Sequence, residues 1–359
     1  MINGHGGDIY GLAQNLGCCP GDIIDMSSNV NPLGPMPELL THLAAHLESV
    51  AYLPQVDAQA IRAAFAQYHG IDPCLIWAGN GSTQWIYTLP IALKARQAII
   101  LAPTYADYAD ACAMHHIPVQ YLPAFKENDF DFDLPKALDK FGQPDLVFIC
   151  NPNNPTGRLI PSHIIKTLCV DRPKTIFVID ESYLPFVAGG ESYSLLKKAP
   201  PNAVIITSMS KIFCLPGLRI GFIKASREVI RCLSLYRLPW SINGPATEAV
   251  LWLMHNKKTV GCFIDRSLQF ICKERDLFCD RLAEIPDLNY FKSCTSFVLI
   301  QLPEYRTSKE VWQIMANEKL LIRDCRNFHG LSERFIRISL KDRKSNQRAA
   351  EILAKTCQR

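Results

Sequence analysis

Residues 207–222 read TSMSKIFCLPGLRIGF and follow directly on the apolar run AVIIT at 203–207. A lysine placed just behind a buried strand, as Lys211 is, stands at the carboxyl edge of a sheet, where open α/β folds bind ligands. Taken alone, Ser208-Met-Ser210-Lys211 is more often an ordinary surface loop. Its surroundings change that. Arg219, set between Gly217 and Gly221, can bring a guanidinium to a phosphate that the Ser208 and Ser210 hydroxyls also reach. Upstream, Asp180 closes the apolar run TIFVID and so ends another strand at the same edge.

Working outward, apolar runs of strand length recur at 75–78, 98–102, 119–122, 146–150, 175–179, 203–207 and 220–223, most with helical stretches between them. Continuous rather than alternating apolarity predicts a mostly parallel sheet covered on both faces, hence a large α/β layer domain. Between the first of these strands and a helix reaching to 94 lies the turn GNGST, where Gly81, Ser82 and Thr83 offer backbone N–H groups as a phosphate cradle. It is no dinucleotide fingerprint, since Gln84 stands where the third glycine belongs. Beyond residue 245 the texture becomes α+β, with helices predicted at 247–256, 262–283 and 345–355 and strands at 297–301 and 335–340. The first 45 residues, rich in Gly, Pro and Asn, read as an arm built of turns. The expected division is therefore an arm over 1–45, a large domain over 46–245 and a small α+β domain over 246–359.

A length of 359 residues suits about two domains, and 48% hydrophobic against 20% charged residues excludes a disordered or fibrous chain. The net charge of +4 comes from dispersed groups, which argues against a nucleic-acid partner. No apolar run reaches the roughly 18–20 residues of a membrane span and the start MINGHGGDIY is not a signal peptide, so a cytoplasmic protein with no membrane partner is expected. The 14 cysteines are scattered without C-x-x-C spacing, and His115-His116 lacks a third ligand in sequence, so no metal is expected.

A lysine able to form a Schiff base and a carboxylate able to pair with a ring nitrogen are the two groups that pyridoxal phosphate chemistry demands. With NPNNPTG at 151–157, DESY at 180–183 and SMSK…GLRIGF at 208–222, the sequence resembles the fold type I pyridoxal-phosphate enzymes, the aspartate aminotransferase superfamily. The resemblance covers most of the chain. It implies the type I transferase fold, pyridoxal 5'-phosphate as cofactor and a homodimer with sites at the subunit interface. Lys211 would hold the cofactor aldehyde and move the proton at the substrate's α-carbon, and Asp180 would keep the ring nitrogen protonated. Asn154 and Tyr183 would bond the ring's 3-oxygen, and Tyr105 in LAPTY would stack on the ring. Gly81, Ser82, Thr83, Ser208, Ser210 and Arg219 would hold the phosphate.

Within the superfamily, HGGDIYGLAQ at 5–14, SSNVNPLG at 27–34, LPWSIN at 238–243 and LIRDCRNFHGL at 321–331 resemble the threonine-phosphate decarboxylases more than the related histidinol-phosphate aminotransferases. That resemblance implies a phosphorylated amino acid as substrate and a product, (R)-1-amino-2-propanol O-2-phosphate, that serves cobamide assembly. Arg337 and Arg323 would take the substrate's carboxylate and phosphate, with either assignment open. His5, Gly6 and Gly7 would fold over the substrate, and Asn31 would lie near it. One departure is that AYLPQVD at 51–57 puts Leu53, rather than a tyrosine, before Pro54, so that Tyr52 stands one residue early for a contact to the neighbouring subunit's cofactor. The bond that breaks is the one held perpendicular to the cofactor ring. The residues leave loss of CO2 and transamination both open, and the resemblance favours the former. A non-catalytic cofactor-binding regulator would need a DNA-binding module for which the first 45 residues have no pattern.

Overall fold

The computed structural model describes residues 5–131 and 134–358. Its strands in chain order are Ile24–Asp25 (β1), Ile76–Asn80 (β2), Ala98–Ala102 (β3), Val119–Pro123 (β4), Leu146–Cys150 (β5), Ile176–Asp180 (β6), Ala203–Ser208 (β7), Ile220–Lys224 (β8), Asn289–Tyr290 (β9), Phe297–Gln301 (β10), Leu320–Leu321 (β11), Arg323–Asp324 (β12) and Phe335–Ser339 (β13). A seven-stranded sheet runs in the order β2-β8-β7-β6-β5-β3-β4. Its pairs are parallel from β4 through β7, and β8 runs antiparallel to both β7 and β2. Strands β3, β5 and β8 are buried at every position, as continuous apolar runs require of a sheet packed on both faces.

The one reversed strand positions the site. Strands β2, β3, β5, β6 and β7 end at one edge of the sheet, and β8 begins there, with Asn80 paired to Ile220 and Ser208 to Gly221. That edge therefore collects the turn at Gly81, the segment of Tyr105, residues 151–157, Asp180 to Tyr183, Lys211 and Arg219.

A second, antiparallel sheet has the order β12-β13-β10-β9, in which Leu299 and Arg323 flank Arg337 on either side. The N-terminal segment joins this part of the chain, because β1 pairs in parallel with β11 and the Ser339 N–H donates to the Met26 carbonyl at 2.8 Å. Between the two sheets in sequence runs the helix Lys257–Ala283, 27 residues and so about 40 Å long. Its buried stripe of Val260, Phe263, Ser267, Ile271, Glu274, Phe278 and Leu282 repeats every three or four residues.

The arm is more ordered than a run of turns. Helices Ile9–Leu16 and Pro37–Ala45 stand in it, each too short to show a periodicity among the surrounding Gly and Pro. The first is opened by the Asp8 side chain, which accepts from the Gly11 N–H, and closed by the left-handed Gly17. The second has Pro37 at its first position, where a missing N–H costs nothing. Among the described residues no helix is long and apolar enough to cross a membrane.

Candidate active site

The collecting edge of the large sheet opens into a cavity of about 610 Å³, counting its mouth, lined by Gly81, Ser82, Thr83, Tyr105, Asp180, Tyr183, Ser208, Ser210, Lys211 and Arg219 among others. Lys211 lies on the single turn Met209–Ile212, which Ser208 opens by accepting the Ser210 N–H at 3.3 Å. Its Nζ stands 5.8 Å from the centre of the Tyr183 ring and has no carboxylate within ion-pair distance among the described residues. Asp180, buried at the end of β6, accepts from Tyr108 Oη at 2.9 Å and from the Ser182 N–H at 3.0 Å. Burial pushes its carboxyl above the usual carboxylate range, against the pull of the Ser182 and Tyr108 hydrogen bonds and of the Lys211 charge. A buried carboxylate with neutral donors and no paired cation is short of a counter-charge.

The opposite end of the cavity suits an anion. Gly81 opens the helix Gly81–Ala92 at φ +73°, and a Cβ there would come within 2.5 Å of Arg219 Nη2. Glycine is thus what lets that guanidinium reach the helix start. Asn80 gives this helix no side-chain cap, and Ser210 Oγ is buried without a partner. An unspent amine, a carboxylate lacking a cation, and a guanidinium beside an uncapped helix start fit the aldehyde, the ring nitrogen and the phosphate of pyridoxal phosphate.

Beside this cavity lies a second set of residues. Arg323 and Arg337 face each other across the β12–β13 pair, both largely buried. Arg337 donates through Nη1 to Asn154 Oδ1 and through Nη2 to the Ser27 carbonyl, and its buried Nε has no partner. Arg323 donates to the Asp324 carbonyl at 2.7 Å and to Asn327 Oδ1 at 2.8 Å, with the Phe328 ring 5.0 Å from its guanidinium carbon. Burial lowers both guanidinium pKa values, that of Arg323 to about 10 with the Arg337 charge adding to the shift. Two like charges sharing a desolvated strand pair would be relieved by an anion between them.

The HGG arm closes this side. The Gly7 N–H donates to Ser27 Oγ at 2.7 Å, and a Cβ on Gly6 would fall 2.7 Å from the Ser27 carbonyl, the same oxygen that Arg337 holds. His5 Nε2 stands 3.6 Å from Asp107 Oδ1, and its ring meets Tyr105 edge to face at 6.2 Å. Burial, then Asp107, pushes the Tyr105 hydroxyl up.

The asparagines are divided differently from the expectation. Asn31 spends its amide on the Ile212 carbonyl at 2.8 Å and Ser267 Oγ at 2.7 Å, while its N–H donates to the Lys211 carbonyl at 2.9 Å. Its place is behind the lysine turn. The asparagine bonded to a cavity residue is Asn29, which donates to Tyr183 Oη at 3.2 Å and accepts from Ser339 Oγ at 2.6 Å. Asn154 points Oδ1 at Arg337. Sequence reading passed over Asn29, Ser27 and Tyr108. The contacts that tie them to the site, Asn29 to Tyr183, Tyr108 to Asp180 and the Ser27 carbonyl to Arg337, span 72 to 310 positions, so no local pattern marks them.

The chain matches the family described as aminotransferase class I and II over residues 21–353. It is 31% identical over 98% of its length to the adenosylcobalamin biosynthesis bifunctional protein CobDQ of Leptospira interrogans, of which it spans only 40%. A solved structure of L-threonine-O-3-phosphate decarboxylase from Porphyromonas gingivalis superposes with a TM-score of 0.84 at 29% identity, covering 93% of this chain and 99% of that one. The histidinol-phosphate aminotransferase of Clostridium acetobutylicum superposes with the same TM-score at 28% identity and the same coverage.

Proposed function

The chain belongs to the class I and II aminotransferase family, whose members use pyridoxal 5'-phosphate, and we propose that it decarboxylates L-threonine O-3-phosphate to (R)-1-amino-2-propanol O-2-phosphate and CO2. The product would serve as the nucleotide-loop linker of cobamides. O-Phospho-L-serine, one methyl smaller, is a second substrate in this reading and gives ethanolamine phosphate. The observation that carries it is the pairing of Arg323 with Arg337 across one strand pair. Two neighbouring buried guanidiniums suit a substrate that carries both a carboxylate and a phosphate.

The chemistry supplied by bound pyridoxal phosphate is an aldehyde for the substrate's amine and a ring that takes up the electron pair freed at Cα. Lys211 Nζ, the cavity amine with no carboxylate in ion-pair distance among the described residues, would be the group that holds the cofactor's aldehyde and would carry the proton delivered to the substrate's Cα. Asp180 would keep the ring nitrogen protonated. Tyr183 and Asn154 would serve the ring's 3-oxygen, with Nδ2 the group Asn154 has left to offer because Arg337 occupies its Oδ1. Tyr105 would pack on the ring, and Gly81, Ser82, Thr83, Ser208, Ser210 and Arg219 would hold the phosphate. His5, Gly6 and Gly7 cover the substrate and exclude water. We assign substrate contact to Asn29 and leave Asn31 to brace the lysine turn.

This reading takes residues 1–45 as an arm shared with the small domain, 46–245 as the cofactor domain and 246–359 as the small domain. It also takes the working unit as a homodimer. In support, Leu47, Val50, Tyr52, Leu53, Val56, Leu238 and Trp240 are exposed, and the Trp240 N–H donates to the Val56 carbonyl, which joins the two segments into one apolar patch.

The test is turnover of phosphothreonine and phosphoserine without an oxo acid. Release of CO2 in the absence of 2-oxoglutarate is expected. The equal superposition on a histidinol-phosphate aminotransferase favours a second reading, transamination, and turnover that needs 2-oxoglutarate and yields glutamate would establish it in place of the first.

A further inference from the structure

Away from the cavity, the helix Pro37–Ala45 and its first following residue carry His42 and His46, four positions apart and therefore on one face. Opposite them, on the helix Gly244–His255, stands Glu248. One donor atom from each of the three side chains lies within 4.8 Å of the others. The closest pair, His42 Nε2 and Glu248 Oε2, is 3.3 Å apart. That separation is close to the roughly 3.3–3.6 Å edge of a tetrahedron with metal–ligand bonds of about 2.0–2.2 Å.

A second observation concerns the unused nitrogen. His46 Nδ1 lies 2.8 Å from the His42 carbonyl, which accepts only, so Nδ1 must carry the proton and donate. In the tautomer with one proton, the lone pair is then on Nε2. An imidazole that gives its other N–H to a carbonyl in this way is oriented as metal-ligating histidines are. The two rings lie 4.0 Å apart, and the Trp252 ring stands 6.4 Å from that of His42 as an apolar wall. His42 and Glu248 keep side-chain exposures of 22% and 28%, so an ion has a path in from solvent.

We propose that His42, His46 and Glu248 form a binding site for a divalent transition ion of the zinc class, with a fourth position left to water. Two imidazoles and a carboxylate suit zinc, cobalt or nickel, and magnesium or calcium would prefer an all-oxygen set. The site would join residues 206 positions apart and so tie the arm helix to the helix Gly244–His255. An ion held by the folded chain alone stabilises it by mass action.

Cofactor-loaded protein, freed of metal by chelation, is titrated with Co²⁺ and followed by visible absorption, and its Tm is measured with and without Zn²⁺. The expected result is one Co²⁺ per chain with the bands of a nitrogen and oxygen site, displacement by Zn²⁺, and a Tm raised by a few degrees. His46→Ala, at an exposed position, and Glu248→Gln should each weaken binding by at least about tenfold, with amino-acid turnover in metal-free buffer unchanged. No binding to the wild type overturns the proposal. So does a spectrum with thiolate charge transfer, or binding that survives in the double variant His42→Ala/His46→Ala, which keeps every cysteine.

Discussion

The two halves of the cavity region differ in how their charges are spent. On the large-sheet side, among the described residues, Lys211 has no carboxylate within ion-pair distance, Asp180 has neutral donors only and Ser210 Oγ has no partner. On the small-sheet side, Arg337 is already committed to Asn154 and the Ser27 carbonyl, and Arg323 to Asp324 and Asn327. The first half is therefore preformed and waiting, placed by the strand ends and braced by Asn31 behind the lysine turn and by Tyr108 and Ser182 on Asp180. In the second, four guanidinium hydrogen bonds are already made within the protein, and Arg337 Nε is left as an open donor. On the proposed function, binding energy spent there would act on the reaction through the orientation it gives the substrate.

The largest effect that would break this contrast belongs to the waiting half. Lys211→Ala should abolish the visible absorbance of the cofactor adduct and any borohydride-reducible attachment. Activity should fall by at least the roughly 10²–10⁴-fold that a positioned proton-transfer group contributes. Absorbance retained and still fixed by borohydride would place the attachment on another amine.

In the committed half the effect should be smaller and should fall on KM. Arg337→Lys keeps the charge but loses the fork that spans Asn154 and Ser27, and a rise in KM on the order of 10²-fold is expected. Arg323→Lys, measured on L-threonine and on its phosphate, sharpens the assignment. If Arg323 holds the phosphate, the variant loses ground on the phosphorylated substrate alone. Equal losses on both would give it the carboxylate.

The same contrast explains what could be read in advance. Strands 98–102, 146–150 and 297–301 coincide with the observed ones, because a fully buried strand must be continuously apolar. The motif residues at the large-sheet edge were legible because each follows its own strand by a few positions. Asn29 and Asn31 sit in one SSNVNPLG stretch, and nothing local tells which faces the cavity. The difference is made by Ser339 and Ser267, far along the chain. The arm helices and the pairing of His42 and His46 with Glu248 were hidden for the same reason, since their partners are supplied by the fold.

Beneath the waiting half, in stability rather than turnover, two consecutive carboxylates part company. Asp180 faces the cavity, and Glu181 turns to Ser194 Oγ at 2.6 Å and the Leu195 N–H at 2.7 Å. Burial is the main reason that the Glu181 carboxyl is pushed up to about 7, and the neighbouring Asp180 charge adds to it. With a folded value above the unfolded 4.5, the folded chain binds more protons than the unfolded chain between those two pH values. The stability that Glu181 contributes is therefore full below about 4.5 and is lost as pH rises through about 7, a difference on the order of 3 kcal/mol. Glu181→Gln, compared with the wild type by urea unfolding at pH 5 and pH 7.5, should flatten that slope and leave the cofactor absorbance intact. An unchanged slope would mean that Glu181 is ionised throughout, with Lys224 as a closer counter-charge than its present place implies.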